Sequence, residues 1–314
     1  MASKSSKPTL YLVSPCYNEE EVLPTTYSMF TEKIENLVKQ KRISEKSRIL
    51  FVNDGSSDST WSIIQGLAKK SKFIEGVSLS RNRGHQNALL AGLMEAKDKC
   101  DVTITLDCDG QHDINAVDEM MDKYCEGYEV VYGVRNNREG DSLLKKIFSE
   151  FYYVLLKSLG GEIITNHADY RLVSSKVLNE FRNYEEVNIF LRGLFPLVGF
   201  KSTTIKYNQL DRTAGKSHYS LSKMFNLAFD GITSLSIKPI VFVGLLGLLI
   251  MVLSLINFVV SIYRHDELWV AANLISFLLG TVLTSIGVIG QYVGKTYMET
   301  KHRPRYIISE KTYK

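Results

Sequence analysis

Cysteine is scarce: the four thiols, Cys16, Cys100, Cys108 and Cys125, include no Cys-x-x-Cys pair. That spacing excludes a disulfide scaffold and a cysteine zinc site, so all four are expected as free thiols. No long apolar run opens the chain. Met1 to Lys7 is polar, and Leu10 to Val13 is too short for the apolar core of a signal peptide, so none is expected. Repeats, low-complexity tracts and long linkers are missing as well. With 45% hydrophobic and 23% charged residues over 314 positions, a disordered, collagen-like or coiled-coil chain is excluded. An excess of one charge is also missing from most of the chain. Lys+Arg 38 exceeds Asp+Glu 34 by four. The six bases from Lys295 onward (Lys295, Lys301, Arg303, Arg305, Lys311, Lys314), set against Glu299 and Glu310, account for that whole excess. The rest is neutral, so no nucleic-acid partner is expected.

Two long uncharged stretches lie near the C-terminus. Ile240 to Ile262 would reach roughly 35 Å as a helix, enough for a bilayer core, and Leu268 to Gly294 is of similar reach. Only Arg264-His265-Asp266-Glu267 separates them, which allows a helical hairpin and little else. Lys238 before the pair and the basic cluster after it predict that both outer ends, and so the large N-terminal part, are cytoplasmic. The basic tail suits anionic lipid headgroups.

Residues 10–135 alternate short β-rich runs with helical patterns. Strands are expected at Leu10–Val13, Ile49–Val52, Val77–Leu79, Val102–Leu106 and Val130–Tyr132, and helices at Glu19–Lys41, Ser59–Lys70 and Gln86–Ala96. This rhythm predicts an α/β fold with a mostly parallel sheet, helices on both faces and ligands beyond the carboxyl ends of the strands. Two apolar stripes at helical spacing follow, Leu143 to Leu159 and Leu221 to Leu235. The first fits a core-facing helix; the second fits a core or an interfacial helix leading into the bilayer.

The strand ends carry the polar residues. Asp54-Gly55-Ser56-Ser57-Asp58-Ser59-Thr60 fits a binding loop, and equally a turn with a helix N-cap. Asp107-Cys108-Asp109-Gly110-Gln111 follows the expected central strand, where closely spaced oxygen ligands suit Mg²⁺ or Mn²⁺ held together with substrate phosphates. A diphosphate leaving group needs that kind of Lewis acid. Arg135 and Arg138, and then Arg212, Lys216, Ser217 and His218 in Arg212-Thr213-Ala214-Gly215-Lys216-Ser217-His218, are candidate phosphate contacts. The latter segment lacks the first glycine of a Walker A motif.

Taken in order, Pro15-x-Tyr17-Asn18-Glu19, Asp54-Gly55-Ser56-x-Asp58-x-Thr60, Arg81-Asn82-x-Gly84-His85, Asp107-x-Asp109-x-Gln111, Asp169-Tyr170-Arg171-Leu172 and Arg212-x-x-Gly215-x-Ser217 resemble family 2 of the inverting glycosyltransferases. With two C-terminal spans, the chain looks like the bacterial polyprenyl-phosphate (bactoprenol) glucosyltransferases, relatives of dolichyl-phosphate mannose synthase. The resemblance implies a GT-A domain over 9–220 after a disordered 1–8. It also implies an interfacial helix at 221–237, a membrane hairpin over 238–294 (spans 240–262 and 268–293) and a basic cytoplasmic tail at 295–314. Pro15, Tyr17, Glu19 and Asp54 would then hold the nucleoside, with Asp107 close by. Asp109 and Gln111 would bind the metal, and Arg135 and Arg212 would face phosphates. Asp169 would be the catalytic carboxylate, with Arg171 orienting it or contacting the acceptor.

Asn53 stands where the family often has an acid, and His218 where it often has a lysine, so Lys216 or His218 would supply the charge there. The implied reaction moves one hexose, glucose from UDP-glucose first, onto undecaprenyl phosphate at the cytoplasmic face. UDP-N-acetylglucosamine and GDP-mannose are the alternative donors. The phosphate acceptor is already ionised and needs no strong base. A homo-oligomer, a flippase for the lipid-linked sugar and a downstream transferase are the implied partners. A processive synthase is disfavoured, because no Gln-x-x-Arg-Trp segment occurs. A catalytically dead membrane scaffold is the alternative from another class.

Overall fold

A computed structural model describes residues 7–136, 167–186, 189–209 and 267–313. Eight strands form one sheet: β1 (Leu10–Cys16), β2 (Arg48–Asn53), β3 (Ile74–Leu79), β4 (Val102–Thr105), β5 (Val130–Arg135), β6 (His167–Ser174), β7 (Ser202–Tyr207) and β8 (Ile308–Lys311). Their order is β7-β5-β6-β4-β1-β2-β3-β8. Pairings β1·β2, β1·β4, β2·β3 and β5·β7 are parallel, whereas β4·β6, β5·β6 and β3·β8 are antiparallel. The sheet is therefore mixed, with a parallel centre. β1 is buried along its whole length, as its apolar run LYLV requires of a strand covered on both faces.

Helices cover both faces, as the alternating pattern predicts. α1 (Leu23–Lys39), α2 (Thr60–Lys70) and α4 (Ala116–Cys125) enclose one core with Leu10, Leu12, Phe51 and Ile104. α3 (His85–Ala96), α5 (Ser175–Phe181) and α6 (Leu191–Leu197) enclose the other with Val13, Val52 and Val173. α3 lies unusually close to the sheet because of Gly92. A Cβ there would stand 2.4 Å from Val13 Cγ1 and 2.6 Å from Val52 Cγ2. Between β1 and β4 the strand order reverses direction, and in such sheets the ligand crevice lies at that switch point, outside the carboxyl ends of the strands.

Elements deviate from the sequence pattern mainly at their ends. α1 begins at Leu23 because Glu19 to Val22 form a turn first, and β3 begins at Ile74. The four cysteines are free, with Cys16 and Cys108 buried.

The larger difference is at the C-terminus, where the sequence pattern marks only a basic tail. Ile308–Lys311 forms β8 on the outer side of β3. Trp61 Nε1 and Gln65 Nε2 donate to Glu310 Oε2 at 2.9 and 3.1 Å, the Gly76 amide donates to Thr312 Oγ1 at 2.8 Å, and Lys311 Nζ lies 2.7 Å from Glu95 Oε2.

Before β8 runs α7 (Glu267–Thr300), 34 residues long, which contains the second uncharged stretch. Its Ile275, Phe277, Val282, Ile286, Ile289 and Val293 are exposed. Among the described residues no helix is long and apolar enough to cross a membrane. The expected span at 240–262 and both apolar stripes lie outside the described residues, as do several side chains of α7.

Candidate active site

The loops after β1 and β2 interlock. The Asn18 amide donates to Ser56 Oγ at 3.0 Å, and Asn18 Oδ1 accepts from the Ser57 amide at 2.9 Å. Glu19 N donates to Thr60 Oγ1 at 2.9 Å. Ser56, Asp58 and Thr60 thus brace the neighbouring loop, with Asp58 also serving the turn that starts α2. Gly55 is needed for two reasons, a φ of +62° and a Cβ position only 2.4 Å from the Arg81 carbonyl carbon.

The buried Asp54 carboxylate accepts the Arg83 and Gly84 amides at 2.7 and 2.9 Å. Burial pushes its pKa up, and those two hydrogen bonds partly offset the rise. It thereby fixes the loop leading into α3. Tyr17 stands exposed at the mouth of the crevice, while Pro15 is buried within β1.

Beyond β4 the chain turns back through Gly110, at φ +72°. The Asp107 amide donates to His112 Nδ1 at 3.1 Å, so the neutral imidazole carries its proton on Nε2, which faces Asp107 Oδ2 at 3.7 Å. Burial holds the His112 pKa low, and its ring stacks on Tyr170 with centroids 4.8 Å apart. Asp109 is buried, and its Oδ1 accepts the Gln111 amide at 3.0 Å. Gln111 Oε1 accepts from Gln209 Nε2 at 3.2 Å. Among the described residues no three His, Cys, Asp or Glu side chains converge as a metal cage. One carboxylate and one amide oxygen fit a hard cation that takes its other ligands from a bound diphosphate and water.

Opposite lies Asp169 at the start of β6, only 5% exposed. Its Oδ1 accepts from Arg171 Nη2 at 2.7 Å and Arg192 Nε at 3.3 Å. Oδ2 accepts from Arg192 Nη2 at 2.9 Å and Gln86 Nε2 at 3.3 Å, with His85 Nε2 at 3.5 Å. Burial alone would raise the Asp169 pKa, but Arg192, His85 and Arg171 together hold it well below the usual carboxylate range. Arg171 is fully buried. It donates to the Leu191 carbonyl at 3.1 Å and lies 4.6 Å from the Phe195 ring centroid. Of the two parts foreseen for Arg171, this geometry fits the orienting one. His85 also approaches Asp107 Oδ1 at 3.7 Å, bridging the two sides of the crevice.

The crevice thus brings together Asp107, Asp109, Gln111, Asp169 and Arg171, with Asp54 and Glu19 in the supporting loops. Arg135 sits at the end of β5, its Nε donating to Tyr207 Oη at 3.4 Å. Arg138, Arg212, Lys216, Ser217 and His218 lie outside the described residues. Sequence reasoning missed Gln86, His112 and Arg192. His85 was visible only as part of a motif. Arg192 reaches Asp169 from α6, 23 residues downstream, a closeness that no local pattern reveals.

The family model described as Glycosyl transferase family 2 matches residues 11–182, which contain this geometry except for Leu191, Arg192, Phe195, Tyr207 and Gln209. The chain belongs to glycosyl transferase family 2. It is an enzyme of that family, a glycosyltransferase. Relatives match over nearly the full chain. The glycosyltransferase YkoT of Bacillus subtilis (strain 168) is 44% identical over 99% of this chain and 94% of its own. A prophage bactoprenol glucosyl transferase homolog of Escherichia coli (strain K12) is 35% identical over 95% and 97%. The bactoprenol glucosyl transferase of Shigella phage SfV is 34% identical over 96% and 99%. Among solved structures, glucosyl-3-phosphoglycerate synthase from Mycobacterium tuberculosis, in complex with Mn²⁺, UDP-glucose and phosphoglyceric acid, aligns with a TM-score of 0.46 at 17% identity, covering 73% of this chain and 78% of that one.

Proposed function

We propose that this glycosyltransferase moves one hexose, glucose from UDP-glucose in the first instance, onto a polyprenyl phosphate at the cytoplasmic face of the membrane. The observation that carries the proposal is the two-sided crevice: a carboxylate and amide pair, Asp109 and Gln111, on one side, and the Arg171 and Arg192 guanidiniums gathered around Asp169, with His85 beside them, on the other. One side suits a nucleoside diphosphate with its metal, and the other suits an anionic acceptor. The full-length relatives named bactoprenol glucosyl transferase support a lipid phosphate as that acceptor.

In this scheme Asp109 and Gln111 would hold Mg²⁺ or Mn²⁺, which would supply Lewis acidity for the departing diphosphate. Asp54 keeps the Arg83–Gly84 loop in place, and Tyr17 offers a ring at the mouth where the nucleoside enters. Arg135, Arg138, Arg212 and the Lys216–His218 segment are the proposed phosphate contacts. An ionised phosphate oxygen needs no proton removed, so positioning and electrostatic stabilisation carry the rate.

Attachment to the bilayer is supported by the uncharged Leu268–Gly294 stretch and by the exposed apolar side chains of α7. Thr281, Ser285 and Thr296 bond back to carbonyls of their own helix at 2.8–3.0 Å, which hides their hydroxyls from an apolar surrounding. The basic residues flanking the hairpin favour a cytoplasmic catalytic domain.

The test incubates membranes carrying the full chain with undecaprenyl phosphate, Mg²⁺ or Mn²⁺ and labelled UDP-glucose, UDP-N-acetylglucosamine or GDP-mannose, followed by organic extraction. Label entering the lipid phase from UDP-glucose is the expected result. Label from another donor alone would replace the sugar, and no label from any donor would overturn the lipid acceptor.

A further inference from the structure

Asp169 has the position of a catalytic carboxylate but little capacity left to act as one. An ionised carboxylate offers about four lone-pair positions. Here Arg171, Gln86 and both donors of Arg192 occupy them, with His85 Nε2 at 3.5 Å, and the group is 5% exposed. A carboxylate held in this way neither takes up a proton readily nor reaches a substrate. The donors around it differ in access. Arg171 is sealed beneath the Leu191 carbonyl and the Phe195 ring, whereas the Arg192 and His85 side chains are 29% and 33% exposed. His85 also reaches toward Asp107, so this open edge, with the Arg192 charge on it, borders the donor side of the crevice.

We propose that Arg192, with His85 beside it, contacts the phosphate of the acceptor, and that Asp169 is a positioning residue that fixes the Arg192 guanidinium for this contact. The ligand class is a phosphate monoester dianion. The inference deepens the function proposed above and rests on it. In the step itself, an acceptor phosphate oxygen forms a bond to the anomeric carbon while the bond from that carbon to the nucleoside diphosphate breaks. The bonding pair leaves on the diphosphate, the product is a phosphodiester, and no proton passes to Asp169.

The experiment uses the full chain in vesicles, as wild type, Arg192→Gln, Arg192→Lys and Asp169→Asn, with UDP-glucose fixed and undecaprenyl phosphate varied. UDP affinity is measured separately by calorimetry. Arg192→Gln is expected to raise the acceptor KM about tenfold or more while UDP affinity changes by less than about twofold, and Arg192→Lys to recover part of the loss. Asp169→Asn should retain measurable turnover with a raised acceptor KM. Inorganic phosphate should compete with undecaprenyl phosphate in the wild type and more weakly in Arg192→Gln, separating the anion from its lipid tail.

The assignment is overturned by an unchanged acceptor KM in Arg192→Gln, by loss of kcat in Asp169→Asn at unchanged acceptor KM, as for a general base, or by phosphate competing with UDP-glucose instead. A wild type that labels no lipid sinks the earlier functional reading, not this one. Weakened binding of inorganic phosphate to Arg192→Gln at intact UDP affinity would still support the anion contact, and unchanged binding would refute it.

Discussion

His85 is the residue at which electrostatics and the crevice meet. Burial alone would lower its pKa, but the neighbouring Asp169 and Asp107 carboxylates outweigh that and raise it. A histidine raised above its unfolded value of about 6.5 contributes stability that is fully present below that pH and is lost as pH climbs through the folded pKa. Thermal unfolding of wild type and His85→Gln should therefore diverge most below about pH 6.5 and converge at higher pH. Parallel curves across that range would refute the assignment. Asp109 belongs to the same scale. Asp109→Ala should lower transfer on the order of a hundredfold or more while leaving the circular dichroism spectrum that of a folded protein, with Asp109 Oδ1 bracing the Gln111 turn amide. Retained activity would remove Asp109 from the metal site.

At the scale of elements, two glycines make opposite predictions. Gly92→Ala should destabilise by about 1–3 kcal/mol, since its Cβ drives α3 off Val13 and Val52. Gly66→Ala, in α2 with nothing within 4 Å, should stabilise by roughly 0.5–1 kcal/mol. Denaturant midpoints of the two variants check both signs.

The same elements show what a sequence can and cannot disclose. β1, β2, β4 and their helices were legible because apolar runs and helical periods are local signals, and Asp54, Asp107, Asp109 and Asp169 were legible because they stand at strand ends within recognisable motifs. Three features were not. β8 is a short strand with burial on one side at most, amid basic residues. Arg192 meets Asp169 only through tertiary packing. The antiparallel placement of β6 depends on a connection, not on the strand's own residues. Asp54 adds a part that its motif does not disclose, since its two oxygens also hold the Arg83 and Gly84 amides.

At the scale of the whole molecule, the chain leaves the sheet after β7, runs to α7 and returns as β8. Arg305 Nη1 donates to the Tyr184 carbonyl at 2.9 Å, and Tyr306 packs with Ile308 and Tyr313 against the α3 side of the core. The helix proposed for the bilayer is thus joined to the catalytic part through folded contacts at its C-terminal end. If α7 lies in the bilayer, alkaline carbonate should leave the full chain in the membrane pellet; release into the supernatant would show attachment by charge alone.

The return of β8 bears on how the enzyme can be cut. A fragment ending before the apolar stretches, the usual route to a water-soluble catalytic domain, would leave the outer hydrogen-bonding side of β3 without a partner and strip the cover from Trp61 and Gly76. Such an open strand is a template for pairing with another copy, so the shortened protein should self-associate and precipitate. Supplying Arg303 to Lys314 on a short linker should restore a monodisperse domain.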